Sequence, residues 1–370
     1  MSGSTPKTNI AEFWDGDVKW ITPAELDENT YIITDSVRKI TNLAMQKTGL
    51  TAFPAGTVIL SSRAPIGKVA IAGCKMCCNQ GFKNFICSEI VNNKYLYWFL
   101  KHNTAYLNSL GRGATFKEIS KSIVSSIEIN LPSLEEQQRV VDNIEKISTI
   151  ITLRKKEISI LDDLIKARFV ELFGDLRTNT KEWKIQAFSE LTDLITDGEH
   201  ATPRRTTNGI YLLSARNILN HAIQLDDVDY IDQEEYDRIA KRVVPQAGDV
   251  LISCSGTVGR CCTVPVGLKF QMVRSAALLR FKPEINPKFA EYMITSEYLQ
   301  EQINRLKTAS SQANLFQGKI AKLKGFAPPM ELQQEFNAFV AVIDKSKATV
   351  QKALDETQLL FDSLMQQYFG

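Results

Sequence analysis

A chain of 370 residues can hold two or three ordinary domains, and 44% hydrophobic with 23% charged residues is the balance of a folded chain, not a disordered one. A net charge of +2 neither announces nor excludes a nucleic acid, because a strongly basic domain is the usual electrostatic footprint. No apolar run reaches the ~20 residues of a bilayer span, and the polar start, Met1 to Thr8, has no apolar signal core, so a cytoplasmic protein without membrane contact is expected.

In chain order, Val58 to Ser61 is a short aliphatic run entered by the turn Pro54-Ala55-Gly56, which predicts a strand. It leads into the loop Arg63-Ala64-Pro65-Ile66-Gly67-Lys68 and then a second apolar strand. Cys74, Cys77, Cys78 and Cys87 follow. With Cys254, Cys261 and Cys262 they number seven, which rules out complete disulfide pairing and favours reduced thiols. Cys74 and Cys77 form a CxxC without a second pair or a nearby histidine, so buried strand cysteines are expected ahead of zinc or redox chemistry. Residues 95–110 have helical periodicity and lead to a polar stretch at 111–117, a candidate functional surface loop.

Residues 132–174 predict one long helix. Ser133 and Glu136 have capping-box spacing and Gly174 suits a stop. Ile144, Ile151, Ile158, Ile165 and Leu172 recur every seven residues, with Val140, Ile147 and Leu161 between them and Arg154 and Arg168 as polar exceptions. At ~1.5 Å per residue such a helix would run roughly 60 Å, and its apolar stripe needs a partner.

The partner is suggested by internal repetition. Pro132-Ser133-Leu134-Glu135-Glu136-Gln137-Gln138 returns 196 positions later as Pro328-Pro329-Met330-Glu331-Leu332-Gln333-Gln334, and the same offset carries Phe173-Gly174 onto Phe369-Gly370. Upstream, Gly56 to Ser62 and Ile66-Gly67-Lys68 match Gly248 to Cys254 and Val258-Gly259-Arg260 at an offset of 192. Gly3 to Pro6 likewise matches the region from Gly198 to Pro203. The second half therefore repeats the elements: a strand at Val250 to Ser253, a loop from Ser255 to Arg260, a helical stretch at 289–306, a polar stretch at 307–314 and a long helix at 328–370. That helix carries Val340, Leu354, Phe361 and Tyr368 in one row and Phe336, Ile343, Val350 and Leu364 in the other, interrupted by Lys347 and Thr357. The two helices are expected to pair with each other; a homodimeric coiled coil is the alternative.

Several chemistries lack their residues. A phosphate-binding P-loop needs GxxxxGK[ST], but Gly67-Lys68 has Ser62 at the first glycine position and Val69 after the lysine. An adenine methyltransferase would need an Asn/Asp-Pro-Pro-aromatic motif, which Asn130-Leu131-Pro132-Ser133 and Ala327-Pro328-Pro329-Met330 do not supply. His102, His200 and His221 show neither metal-ligand nor triad spacing. Polar readout chemistry remains: Lys and Arg for phosphates, with amide, hydroxyl and guanidinium groups for base edges. Candidates in the first half are Arg63, Lys68, Gln80, Lys83, Asn84, Arg112, Thr115 and Lys117. In the second they are Arg204, Arg205, Arg216, Asn217, Ser255, Arg260, Gln271, Arg274, Ser311, Gln312 and Asn314. Ser61 and Ser253 could instead simply cap turns.

In order and spacing, Gly3 to Pro6, Trp14-Asp15-Gly16-Asp17-Val18-Lys19-Trp20-Ile21-Thr22-Pro23, Lys39-Ile40-Thr41, Ser61 to Gly67 and Leu131 to Gln138 resemble the specificity subunits of type I restriction-modification systems. The resemblance covers essentially the whole chain. It implies a mixed α/β (α+β) fold with two target-recognition domains, at 1–131 and 175–327, alternating with the long helices at 132–174 and 328–370. These helices would pack as an antiparallel coiled coil in a pseudo-twofold cyclic arrangement. It also implies a non-catalytic chain that binds double-stranded DNA, two modification subunits and restriction subunits. No cofactor is expected on the chain itself; S-adenosylmethionine, ATP and Mg would belong to the partners. The helices would act as a ruler between two half-sites. The Arg exceptions in the seam would face partners or solvent.

One departure stands out. Residues 175–197, with Trp183, Ile185, Phe188 and Leu191, precede the second unit, yet nothing equivalent precedes Gly3. Either the start is truncated or the element comes from elsewhere in the circle, with Gly370 near the gap. A different class, a coiled-coil scaffold whose duplicated units bind protein, would show no salt-sensitive association with DNA.

Overall fold

The computed structural model describes residues 2–63, 65–113, 117–307 and 314–370. The chain divides into two compact units, Met1–Lys156 with Gln351–Gly370, and Glu157–Val350. No helix among the described residues is long and apolar enough to cross a membrane.

The first unit contains strands β1 (Trp14–Ile21), β2 (Ile32–Ile33), β3 (Arg38–Ile40), β4 (Val58–Ser61), β5 (Val69–Ala72), β6 (Cys77–Cys78) and β7 (Phe82–Phe85). They form one sheet in the order β2-β5-β4-β7 and a smaller one in the order β3-β1-β6. β4 and β5 are buried along their whole length because both faces are covered. Val58 and Leu60 pack with Tyr95, Leu96 and Trp98 of the helix Asn93–His102, whereas Ile59 between them packs with Ile21, Phe53 and Phe82. Alternate side chains of one strand thus serve two cores. The small sheet has its own core of Trp14, Trp20, Ile40 and Cys77, closed by Ala44 on the helix Asn42–Thr48.

The second unit repeats this plan. Its strands are β8 (Gln186–Ala187), β9 (Thr192–Asp197), β10 (Ile210–Leu213), β11 (Ile218–Leu219), β12 (Ala222–Ile223), β13 (Asp229–Ile231), β14 (Val250–Ser253), β15 (Cys261–Thr263), β16 (Phe270–Met272), β17 (Ala276–Phe281) and β18 (Lys324–Gly325). The main sheet runs β15-β14-β17-β9 and the small one β13-β10-β16. β14 pairs antiparallel with β15 and β17 as β4 does with β5 and β7. Val250 and Ile252 enter one core and Leu251 the other.

The two long helices are Leu134–Phe173 and Met330–Phe369, 40 residues each. Each unit contains one half of both, and within each unit the halves run antiparallel. In the first unit Arg154 donates to the carbonyl of Ala353 and the hydroxyl of Thr357. In the second, Lys347 pairs with Asp162, and Arg168 with Glu335 at 2.5 Å. The polar interruptions Arg154, Arg168, Lys347 and Thr357 therefore bond across the seam and set its register. Val140, Ile144, Ile151, Ile165, Val340, Ile343 and Leu354 fill the seam as buried side chains.

The repeated Glu-x-Gln-Gln motif has a structural duty. Gln137 is fully buried, donates to the carbonyls of Ile90 and Pro132 at 3.0 and 2.9 Å, and accepts from the Asn92 amide at 2.8 Å. Gln333 does the same with Glu284, Pro328 and Asn286 at 2.9, 2.7 and 2.8 Å. Each glutamine ties the entrance of a long helix to the helix that covers its sheet. Gln137→Leu preserves volume but strands an N–H and two carbonyls, so chemical denaturation should show a loss of about 2–4 kcal/mol in the first unit.

Candidate nucleic-acid interface

The loop after β4 is braced from inside by Ser61. Its buried hydroxyl donates to the Pro65 carbonyl at 2.8 Å and accepts from the Lys68 amide at 2.9 Å, while Gly67 N–H donates to the Ser61 carbonyl at 3.1 Å. Gly67 has φ +97, and a Cβ there would lie 2.6 Å from Thr104 Cγ2, so the turn needs glycine. The described part of the polar stretch at 111–119 docks alongside. Ile119 N–H donates to the Ser62 carbonyl at 2.8 Å, and Arg112 and Glu118 exchange backbone hydrogen bonds at 3.0 and 2.9 Å. The Glu118 carboxylate accepts from Arg63 Nε at 2.9 Å and Lys83 Nζ at 3.3 Å. Burial acts to raise the Glu118 carboxyl, but Arg63 and Lys83 outweigh it and hold the group below its ordinary range.

The second unit builds the same loop. Ser253 donates to the Thr257 carbonyl at 2.6 Å and accepts from the Arg260 amide at 3.0 Å; Gly259 N–H reaches the Ser253 carbonyl at 2.9 Å, with φ +92. Leu315 N–H donates to the Cys254 carbonyl at 2.9 Å, as Ile119 does to Ser62, and Ser255 bridges Asn314 as Arg63 bridges Glu118. The scaffold is shared but the side chains differ. Ser255 stands for Arg63, Asn314 for Glu118 and Ala277 for Lys83. A charged cluster in one unit is matched by a neutral hydroxyl and amide in the other.

Around the loop of the first unit, Arg63, Gln80, Arg112 and Lys117 are exposed. Gln80 accepts from Thr5 at 2.5 Å. Exposed arginines in the second unit are paired with carboxylates: Arg204 with Asp232 and Glu234 at 2.9 and 2.8 Å, Arg205 with Asp229 at 2.9 Å, and Arg216 with Asp229 and Asp227 at 3.1 and 3.7 Å. Such exposed pairs are worth ~0–1 kcal/mol, so a phosphate can displace the carboxylate. Arg274 is exposed and Arg260 half-buried.

Five sequence-selected residues are occupied inside the fold. Lys68 Nζ donates to the carbonyls of Pro23 (3.2 Å) and Leu26, tying down that turn. Lys83 is 8% exposed and bonds Ser62 and Glu118 beneath the loop. Asn84 is buried with its amide on Cys78 Sγ at 3.1 Å. Asn217 is buried, accepting from Ser214 and donating to the carbonyls of Gln224 and Asp227. Gln271 is wholly buried with its amide on the Val243 carbonyl at 3.1 Å. Polar type alone did not separate these brackets from readers. Thr115, Ser311 and Gln312 lie outside the described residues.

The sequence reading missed Glu118 as organiser, and also a cluster in which Asp197 binds Arg242 at 2.5 Å and His200 at 2.8 Å, with Arg238 on Glu235 at 2.8 Å. Asp197 and Arg242 are far apart in sequence, so no spacing rule links them. His221 packs inward, with Nδ1 2.6 Å from the buried Glu291 and its ring stacked on Tyr292. The CxxC pair is divided. Cys77 is buried in the small-sheet core, while Cys74 Sγ lies 3.2 Å from the Thr34 carbonyl.

A fold with two copies of one braced-loop unit and paired long helices can be compared with known proteins. Residues 1–161 and 181–357 match the family model described as the type I restriction modification DNA specificity domain. The chain belongs to that family. It is 42% identical over 176 residues to the type I restriction enzyme MjaIX specificity subunit of Methanocaldococcus jannaschii, a match spanning 47% of this chain and 41% of that relative's length. It is 23% identical over 370 residues to the type I restriction enzyme EcoprrI specificity subunit of Escherichia coli, covering 93% of this chain and 84% of the relative. The crystal structure of a type I restriction-modification system S subunit from M. genitalium shares the fold, with a TM-score of 0.54, 13% identity and coverage of 100% and 99% of the two chains.

Two measurements check the local chemistry. Burial pushes the thiols of Cys77 and Cys78 up to about 11 and those of Cys254 and Cys262 to about 12. A thiol reagent at pH 8 should therefore label Cys74 in the native chain and reach these four only on unfolding. In Arg63→Ala the Glu118 carboxyl should titrate nearer its ordinary range by NMR. The depressed pKa contributes stability that is present above the unfolded value and lost as pH falls through the folded one, so the variant should have less of it to lose and complete the loss at higher pH.

Proposed function

We propose that the chain is the non-catalytic DNA-reading subunit of a type I restriction-modification complex, acting in the cytoplasm. It reads two short half-sites on double-stranded DNA through the loop after β4 with the stretch at 111–119, and through the loop after β14 with the stretch ending at Leu315. The observation that carries this reading is the duplicated loop with diverged outward side chains. A guanidinium cluster suits guanine and phosphate, whereas Ser255 and Asn314 suit an adenine edge, so the units would select different bases. Two modification subunits holding S-adenosylmethionine would flip and methylate the adenines, and restriction subunits using ATP and Mg would cleave.

The long helices would set the separation of the two half-sites. Four residues inserted in a long helix add ~6 Å at ~1.5 Å each, close to two base pairs at ~3.4 Å. Mapping methylated adenines with the modification subunits present should show a longer unread spacer and unchanged half-sites. Arg63→Ala should relax one half-site, with about 1–3 kcal/mol less discrimination, and leave the other intact. DNA association should weaken with salt. No DNA association with or without a modification subunit would instead favour a protein-binding scaffold.

A further inference from the structure

Beside each braced loop, at the same end of the main sheet, lies a second strip of backbone. In the first unit Ser62 N–H donates to the Gly81 carbonyl at 2.8 Å, and Ser4 N–H to that of Cys78 at 3.1 Å. In the second, Cys254 N–H donates to the Ser275 carbonyl at 2.7 Å, and Glu199 N–H to that of Met272 at 2.8 Å. The loop, the turn that follows β6 or β16, and the segment beginning at Gly3 or Gly198 thus form one continuous rim in each unit. The approach is close enough to demand glycine. A Cβ would lie 1.9 Å from the Cys78 carbonyl oxygen at Gly3 and 2.4 Å from that of Met272 at Gly198.

The rim sets a pair of polar side chains at matching places in the two units. Thr5, two residues after Gly3, donates to Gln80 Oε1 at 2.5 Å, and both are exposed. By the repeat, His200, two residues after Gly198, stands in the place of Thr5, and Arg274 in that of Gln80; both are exposed as well. His200 Nε2 lies 2.8 Å from Asp197 Oδ2. Arg242 holds the other oxygen of that carboxylate at 2.5 Å and the Gly198 carbonyl at 3.2 Å. The imidazole therefore rests on a fixed post while the side chain remains 58% exposed. A carboxylate only accepts, so Nε2 carries the proton between them, and the neutral ring keeps Nδ1 as an acceptor on the same rim as the donor guanidinium of Arg274.

We infer that these pairs, Thr5 with Gln80 and His200 with Arg274, form a second base-reading edge in each unit, which extends each half-site beyond what the braced loop reads. The inference rests on the proposed DNA-reading function and deepens it by adding Thr5 and His200 as specificity-determining residues. Each pair offers a donor and an acceptor on a hydrogen-bonded backbone, the combination that tells one base pair from another in a groove. The first unit presents a neutral hydroxyl and amide, the second an imidazole and a guanidinium, so the two edges select different bases. All four side chains are exposed, so packing does not account for the duplicated placement.

The test uses the full chain with modification subunits on a DNA library randomised across both half-sites, with the methylated products sequenced. Thr5→Ala and His200→Ala are each checked for an unchanged thermal midpoint. Thr5→Ala should lose discrimination at least about fivefold at one position of the first unit's half-site, and His200→Ala likewise in the second unit's, each leaving the other half-site and the spacer unchanged. Wild-type discrimination in both variants, while Arg63→Ala still relaxes its own half-site, overturns this edge and leaves the reading loops standing. A loss spread evenly over both half-sites also overturns it, because a local contact cannot act on the distant unit. If neither these variants nor Arg63→Ala alters any position, the DNA-reading function falls and this inference falls with it.

Discussion

Two buried glutamines tie each long helix to the helix that covers a main sheet. A side-chain amide can satisfy a helix-entrance carbonyl, a loop carbonyl and a backbone N–H at once, and Gln137 and Gln333 each do so with full burial. An isolated buried amide would be costly; a fully satisfied one fixes position. Through it the long helix and the helix covering the main sheet share one frame, and that sheet carries the braced loop.

On that frame the two units diverge at few positions. Ser61 and Ser253, with Gly67 and Gly259, brace the two loops with matching hydrogen bonds, while the side chains that the loops present differ. The first unit gathers Arg63, Lys83 and Arg112 around Glu118, and the second places Ser255 beside Asn314. Exchange of side chains on a shared scaffold changes the chemistry that each loop presents without refolding the unit. Arg204, Arg205 and Arg216 are each held in place by carboxylates of the same unit.

Much of this was legible in the sequence. The repeat exposed the paired architecture because a duplicated chain must duplicate its strands, turns and helix entrances, and the seven-residue rows of Ile144, Ile151 and Ile165 marked the buried stripe. The side-chain duties were harder. Lys68, Asn217 and Gln271 have the chemistry of DNA contacts, yet they bond backbone carbonyls, and only the fold tells a bracket from a reader. Arg154, Arg168 and Lys347 read as interruptions in one helix, although each finds its partner on the other. Glu118 was invisible because its importance comes from Arg63 and Lys83, brought to it by separate elements.

The division of both long helices between the units bears on how the chain is made. The second unit is one continuous segment, Glu157–Val350, whereas the first needs Gln351–Gly370 to complete it. Met365 and Phe369 belong to the first unit's core together with Val140 and Ile144. During synthesis the second unit has all its residues before the first does, although it begins later. The first unit's core is thus closed by residues that lie far apart in sequence, the kind of non-local contact that slows folding.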